Sequence, residues 1–231
     1  MWERSTAAPA AGVSPPVLFA NYRHVVMRPE FLLLALVPAS AGATGDRVDR
    51  LTDLSVQAMP MHLVFEHFAG SDPKWPVQEK PDVLDAGQLA CLRGELSTAG
   101  YRRVMHKKVQ DYAGQGDEAM DRSIRLMESG AARVMGALVL AGVEQEMTGR
   151  KIDETEIMGA SRPEELQAFM EFMTSPDHAG LRRVVGIGEA FDAGSSAEEN
   201  NARGEKVGGD LATQLILGGM GRCDIPSSVL F

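Results

Sequence analysis

Positive charge is in short supply in this chain. The 23 Lys and Arg residues face 32 Asp and Glu, a formal net charge of −9. That balance argues against nucleic acid or an anionic membrane surface as partner, because both select clustered cations. Cysteine is scarcer still, with Cys91 and Cys223 the whole complement. The histidines His62, His67, His106 and His178 share no metal-ligand spacing, and His-Glu-x-x-His is missing, so no zinc site is expected. Gly186-Ile-Gly188 lacks the third glycine of a phosphate loop and follows no predicted strand, so close helix packing explains it better. No nucleophile-elbow pattern surrounds Ser129-Gly130. Long apolar runs are also wanting. The strongest, Phe31 to Val37, offers seven residues where a bilayer span needs about 20. No later segment reaches that length, so no transmembrane segment is expected in the mature chain. Neither alternating strand patterns nor internal repeats occur.

What is present begins with an address. Met27 to Ala43 has the form of a secretory signal peptide: Arg28 as a minimal positive end, the apolar core, Pro38, and the overlapping small-residue patterns Ala39-Ser40-Ala41 and Ala41-Gly42-Ala43. Glu30 and the single Arg count against it. The run that follows, rich in Pro, Ala, Ser and Gly, counts against a core helix. Met1 to Tyr22 is rich in Ala, Pro, Ser and Gly without apolar periodicity and is expected to be disordered. Residues 1–26 then read as an over-extended start, with Met27 the true one; a long n-region is the alternative. Residues 44–231 form the expected domain. Residues 1–43 hold three Arg and two Glu, which leaves 20 basic and 30 acidic residues and a net charge of −10 over 188 residues. Such a chain can build one domain with a real core. In a periplasmic or secreted protein the even pair Cys91 and Cys223 invites a disulfide; two unpaired buried thiols are the other reading.

Helical spacing dominates the mature chain and predicts an all-α, single-domain bundle of about six to eight helices. Val48, Leu51, Leu54, Ala58, Met61, Phe65 and Phe68 make one stripe, with a kink or break at Pro60. Trp75 sits in a proline-rich loop over Gly70 to Pro81, more as a pin to the body than as a ligand platform. Asp85 and Gln88 have capping-box spacing. Tyr101 to Tyr112 carries an apolar face with Val104, Met105 and Val109. Its other face, Arg102, Arg103, Lys107 and Lys108, is the basic cluster of an acidic protein. That face is solvated by default and is the candidate contact for an acidic partner. Asp117 opens a helix with Met120, Ile124 and Met127, interrupted at Ser129-Gly130. Val134 to Val143 is apolar nearly all round and is expected at the centre of the core. Ile152 to Gly159 reads as an acidic connection or helical turn. Ser161, Pro163 and Glu164 predict the next helix start, and Leu166, Phe169, Met170 and Met173 its face. Ser175-Pro176 restarts a helix bearing Leu181, Val184, Val185, Gly188 and Asp192, with Ile187 and Phe191 beside that stripe. Ser195 and Glu198 predict the last cap, before Leu211, Leu215 and Ile216.

Paired carboxylates such as Asp153, Glu154 and Glu156, or Glu198 and Glu199, look like helix-entry charges rather than an acid–base pair. Met120, Met127 and Met135 read as core filling, and Met59 with Met61 offers too few thioethers for copper.

Glu164-Glu-Leu-Gln-Ala-Phe-Met-Glu-Phe-Met-Thr-Ser-Pro176 resembles the C-terminal signature of the bacterial secreted proteins called domain of unknown function 2059. The matching positions are Glu165, Leu166, Phe169, Phe172, Ser175 and Pro176. Met173 and His178 depart from the aromatic and glycine typical there. The resemblance spans roughly 30 residues and implies a helical periplasmic protein; it brings no functional residues. The reading that results is an exported, non-enzymatic binding or envelope-associated protein, without cofactor, whose partner is a protein, peptide or lipid. Its rivals are an exported enzyme of acidic-hydrolase type, with a site assembled from distant residues, and a cytoplasmic helical adaptor.

Overall fold

The computed structural model describes residues 40–77, 83–150, 154–188, 190–192 and 194–229. The predicted leader core Phe31 to Val37, the Met1 to Tyr22 segment and Asp153 lie outside them. The described elements belong to one compact unit, Pro38–Phe231. They are helical throughout, with no strand among the described residues, so the all-α bundle is the fold. Eight helices have ten or more residues; α7 (Glu154–Gly159) and α9 (Ala179–Val185) are shorter.

Helix α1 (Ser40–Ala58) buries Val48, Leu51 and Ala58. Its first turn overlaps the predicted cleavage site. Pro60 cannot donate a helical hydrogen bond, and the chain breaks there before α2 (Met61–Ser71). The Met59 carbonyl at the break accepts the Tyr101 hydroxyl at 2.6 Å and the Met61 amide at 2.9 Å. The stripe continues through Met61 and Phe65, but Phe68 is 37% exposed and lies against Trp75 (ring centroids 6.2 Å apart). Trp75 is buried, and Arg93 donates to its carbonyl and to that of Asp72, so the tryptophan pins its loop to the body.

Helix α3 (Ala86–Leu96) starts in the Asp85/Gln88 capping box. Helix α4 (Thr98–Ala113) follows at Ser97 and buries Tyr101, Met105, Val109 and Tyr112. Helices α5 (Asp117–Leu126) and α6 (Ala132–Thr148) are joined by a π-helical turn, Met127–Ala131, where Gly130 takes φ 118°. This is the interruption expected at Ser129-Gly130, and only glycine adopts that backbone cheaply.

Helix α6 departs from the expected central position. Val134 and Gly136 are buried, but residues 137–141 and Val143 are only half-buried. The cause is length. Helix α1 runs alongside α5 and α6 in the same direction, with Arg47 paired to Asp117 and Asp121 and Arg50 to Glu128. It ends where Gly136 meets it: a Cβ at Gly136 would stand 2.2 Å from the Gln57 carbonyl oxygen. The rest of α6 overshoots that end and has α7 beside it. The stretch Asp117–Gln145 is long and apolar enough to cross a membrane by length and composition. The turn at Gly130 nevertheless divides it, and Glu128 and Arg133 within it form ion pairs to α1 and α8.

Helix α8 (Pro163–Thr174) begins one residue later than expected. Pro163 at the first helical position holds Arg162 extended (φ −71°, ψ 150°), so Arg162 rather than Ser161 is the cap, and its amide donates to Glu165 at 2.9 Å. Helix α8 buries Phe169 and Phe172, the latter fully, a burial worth about 2–3 kcal/mol. A 3₁₀ turn, Pro176–His178, leads into α9. That helix stops at Val185, because Gly186 turns to φ 91°; the stripe predicted to run on to Asp192 is therefore cut short. Leu211 packs where a Gly186 side chain would be. Helix α10 (Ala197–Arg222) is capped by Ser196 with Glu199, again one residue past the predicted pair.

The Cys91–Cys223 disulfide exists (S–S 2.04 Å, Cα–Cα 5.9 Å) and fastens the end of α10 to α3. Leu92 and Met220 are buried beside it, and Glu95 receives both Arg222 and Arg103.

Candidate functional site

The residues of one helix face recur every three or four positions. On α5 and the turn after it this brings Arg122, Arg125 and Ser129 into line. On α8 it aligns Glu164, Gln167 and Glu171. The structure sets these two lines opposite each other as walls of a groove of about 420 Å³. Leu126 and Ala168, both buried, form the floor, and Asp177 and His178 of the 3₁₀ turn close one end.

What holds the walls at this spacing is a buried contact beneath them. Gly130 has no side chain, and Glu165 fills the space: a Cβ at Gly130 would stand 2.5 Å from Glu165 Cγ. Arg133 grips the Glu165 carboxylate through Nε (3.0 Å) and a second, shorter bond, and Arg162 adds Nη2 at 3.1 Å. The Arg133 guanidinium, then the Arg162 amide and guanidinium, hold the Glu165 carboxyl down at about 2. Charge is thus neutralised inside, while opposite charges line the groove above.

Several groove residues are committed. Arg122 pairs with Glu118 (2.6 Å) and Glu164 with Arg162 (3.3 Å). The Ser129 hydroxyl donates to the Arg125 carbonyl (2.7 Å). His178 is buried, its Nε2 3.3 Å from Glu171 Oε1. Two charged ones are not: among the described residues neither the Arg125 guanidinium nor the Asp177 carboxylate has an ion-pair partner. The groove can therefore offer a free cation and a free anion to the same small ligand.

The residues singled out by sequence fall elsewhere. Arg102 is taken up by Asp49 (3.2 Å) and Asp53 (2.8 Å), Arg103 by Glu95 (2.8 Å), and Lys107 by Asp111 (3.5 Å). Lys108 has no ion-pair partner among the described residues, and burial pushes its amine down from the usual lysine range. The basic cluster is thus largely neutralised from within. Of the histidines, His62 stacks on Tyr101 inside the core, His106 approaches Asp49 at 3.6 Å and His178 lies against Glu171. Met59, Met61, Met120 and Met127 are core residues. Among the described residues no three His, Cys, Asp or Glu side chains are placed to hold a metal ion. Of the positions resembling the secreted family, Glu165, Phe169 and Phe172 are buried supports, and the Ser175 hydroxyl accepts the Asp177 amide. The exposed residues interleaved with them, Glu164, Gln167 and Glu171, make the groove wall. Arg125 and Asp177 were missed by sequence reasoning; the one signal available was the polar three-four spacing of Arg122, Arg125 and Ser129.

Comparison with family models, curated proteins and solved structures finds no match to this chain.

Proposed function

We propose that this is an exported periplasmic or secreted helical protein that binds its partner rather than transforming it. The observation that carries the reading is the Cys91–Cys223 disulfide, since such bonds persist in oxidising compartments and are rare in the cytoplasm of mesophiles. The signal-like residues 27–43 and the resemblance of residues 164–176 to an exported family support the same compartment. The two-sided charge of the α5–α8 groove supports binding of a small ligand or of a segment of a protein or peptide. The apolar stretch Asp117–Gln145 belongs, on this reading, to the bundle rather than to a membrane.

The test is N-terminal sequencing of the mature protein from fractionated cells, with thiol alkylation in the absence of reductant. A new N-terminus near Thr44 and no alkylated cysteine are expected. Cytoplasmic recovery with the Met27 segment intact and two reactive thiols overturns the reading. An exported hydrolase is the second reading, favoured by the His178–Glu171 pair at the groove's end, a histidine and carboxylate within hydrogen-bond reach. It predicts turnover that His178→Gln abolishes.

A further inference from the structure

We propose that the α5–α8 groove takes a zwitterion of amino-acid or short-peptide size, its carboxylate on Arg125 and its ammonium on Asp177. The inference rests on the binding reading above and names its ligand class. Three observations lead to it. The first is pairing. Most charged side chains around the groove already have intramolecular partners, whereas Arg125 and Asp177 have none among the described residues and line one cavity. An unpaired guanidinium presents a planar fork of donors that matches a carboxylate. An unpaired carboxylate, with Glu171 lining the same groove, favours an ammonium group over any anion.

The second observation is polarity across the groove. Arg122 and Arg125 come from α5, while Glu171 belongs to the facing α8 and Asp177 to the turn after it. A ligand carrying a single sign would meet repulsion from one of the two sides, so anions such as phosphate and simple cations are both discriminated against. The third is size. A volume of 420 Å³ is that of a sphere roughly 9 Å across, and two extended residues span about 7 Å. The floor of Leu126 and Ala168 gives small side chains an apolar seat without a deep specificity pocket.

The experiment is an NMR titration of the mature, ¹⁵N-labelled protein, following the amides of Arg125, Ser129, Gln167 and Glu171. The titrants are Ala-Ala, N-acetyl-Ala-Ala, Ala-Ala-amide, free alanine and inorganic phosphate. Ala-Ala is expected to shift these amides, and blocking either terminus is expected to weaken binding about tenfold. Arg125→Gln should erase the preference for a free carboxylate, and Asp177→Asn the preference for a free amine. Both side chains are exposed and have no ion-pair partner among the described residues, so both variants should keep the parent melting temperature. Free alanine binding as tightly as Ala-Ala supports the proposal and assigns the amino acid as source; weaker binding supports it and assigns the peptide. Equal binding of free and blocked dipeptides, a matching response to phosphate, or no shift with any titrant overturns it. Such a failure with the chain still recovered outside the cytoplasm removes only the ligand class. Cytoplasmic recovery removes the export reading whatever the titration gives.

Discussion

Glu165 occupies the space that a side chain at Gly130 would need, and the two residues stand on helices that share no sequence neighbourhood. Built onto the Gly130 backbone, a Cβ would lie 2.5 Å from Glu165 Cγ and 2.6 Å from its Cβ. The glycine supplies two things together: a positive φ of 118° that bends α5 into α6, and a gap through which α8 approaches closely enough for Arg133 to hold the carboxylate. The groove walls inherit their separation from this contact.

Gly130→Ala therefore meets both a disfavoured backbone and an occupied site. Left-handed φ costs a non-glycine residue roughly 1–2 kcal/mol, and overpacking adds about 1–3 kcal/mol. A loss of about 2–5 kcal/mol in urea unfolding is the expected outcome. Gly142→Ala, where a Cβ would meet nothing within 4 Å, is the matched control and should be neutral or slightly stabilising. Equal midpoints for the two variants would show that α8 does not dock on Gly130 as described.

Glu165 also predicts an acid-sensitive window. Its carboxyl is held at about 2 in the fold, against an ordinary value of 4.5. The unfolded chain therefore takes up the proton first as pH falls. Its stabilising contribution is complete above about pH 4.5 and disappears progressively toward pH 2. Glu165→Gln should lower the melting temperature at pH 7 and flatten its fall between pH 4.5 and 2, read by circular dichroism. A variant curve parallel to that of the parent across this window would contradict the Arg133 and Arg162 grip.

The parts of this fold that were legible in the sequence are those with local causes. Apolar three-four spacing located the helices, Pro60 broke α1 from α2, and Asp85 with Gln88 capped α3 where expected. Two caps shifted by one residue: at α8, Pro163 left Arg162 outside the helix, and at α10 the box formed between Ser196 and Glu199. The chain also offered only two cysteines, so one pairing exhausted the choices. Tertiary geometry hid the rest. Val134 to Val143 reads as a core helix, and nothing in its composition shows that α1 ends at Ala58 and leaves its second half only half-buried. The basic face of α4 reads as free because Asp49 and Asp53, which neutralise Arg102, lie about fifty residues upstream. The groove joins two helices whose facing polar residues carry no motif, and tertiary contacts such as Gly130 against Glu165 set them opposite each other.

The disulfide closes a loop of 132 residues, long enough that its entropic effect on the unfolded chain is large. The chain-entropy model gives about 5 kcal/mol as the upper figure. Cys91→Ala with Cys223→Ala, compared with the parent under non-reducing conditions, should lose a substantial part of it, about 3–5 kcal/mol. Adding reductant to the parent should lower its urea midpoint toward that of the double variant, and adding it to the variant should change nothing. If reductant leaves the parent's midpoint unmoved, the bond does not form in the protein as isolated.

His62 sets a second, milder pH dependence. The ring is buried, stacked on Tyr101 with centroids 5.6 Å apart, and its Nδ1 has no hydrogen-bond partner among the described residues. Burial pushes its pKa below the ordinary 6.5, with Glu66 pulling weakly the other way. The folded chain therefore resists the proton that the unfolded chain accepts, and protonation favours unfolding. The contribution of a neutral His62 is full above about pH 6.5 and declines as the pH drops below that value. Tyr101 keeps its hydrogen bond to the Met59 carbonyl throughout, since burial raises the phenol to pH values far outside this range. His62→Phe preserves a ring against Tyr101 without a titratable nitrogen. Its melting temperature should change less than that of the parent between pH 7 and 5, while the steeper loss below pH 4.5 that belongs to Glu165 remains in both proteins. Identical profiles from pH 7 to 5 would mean that His62 is hydrated or hydrogen-bonded in solution, and that the break at Pro60 is looser than the Tyr101 contact implies.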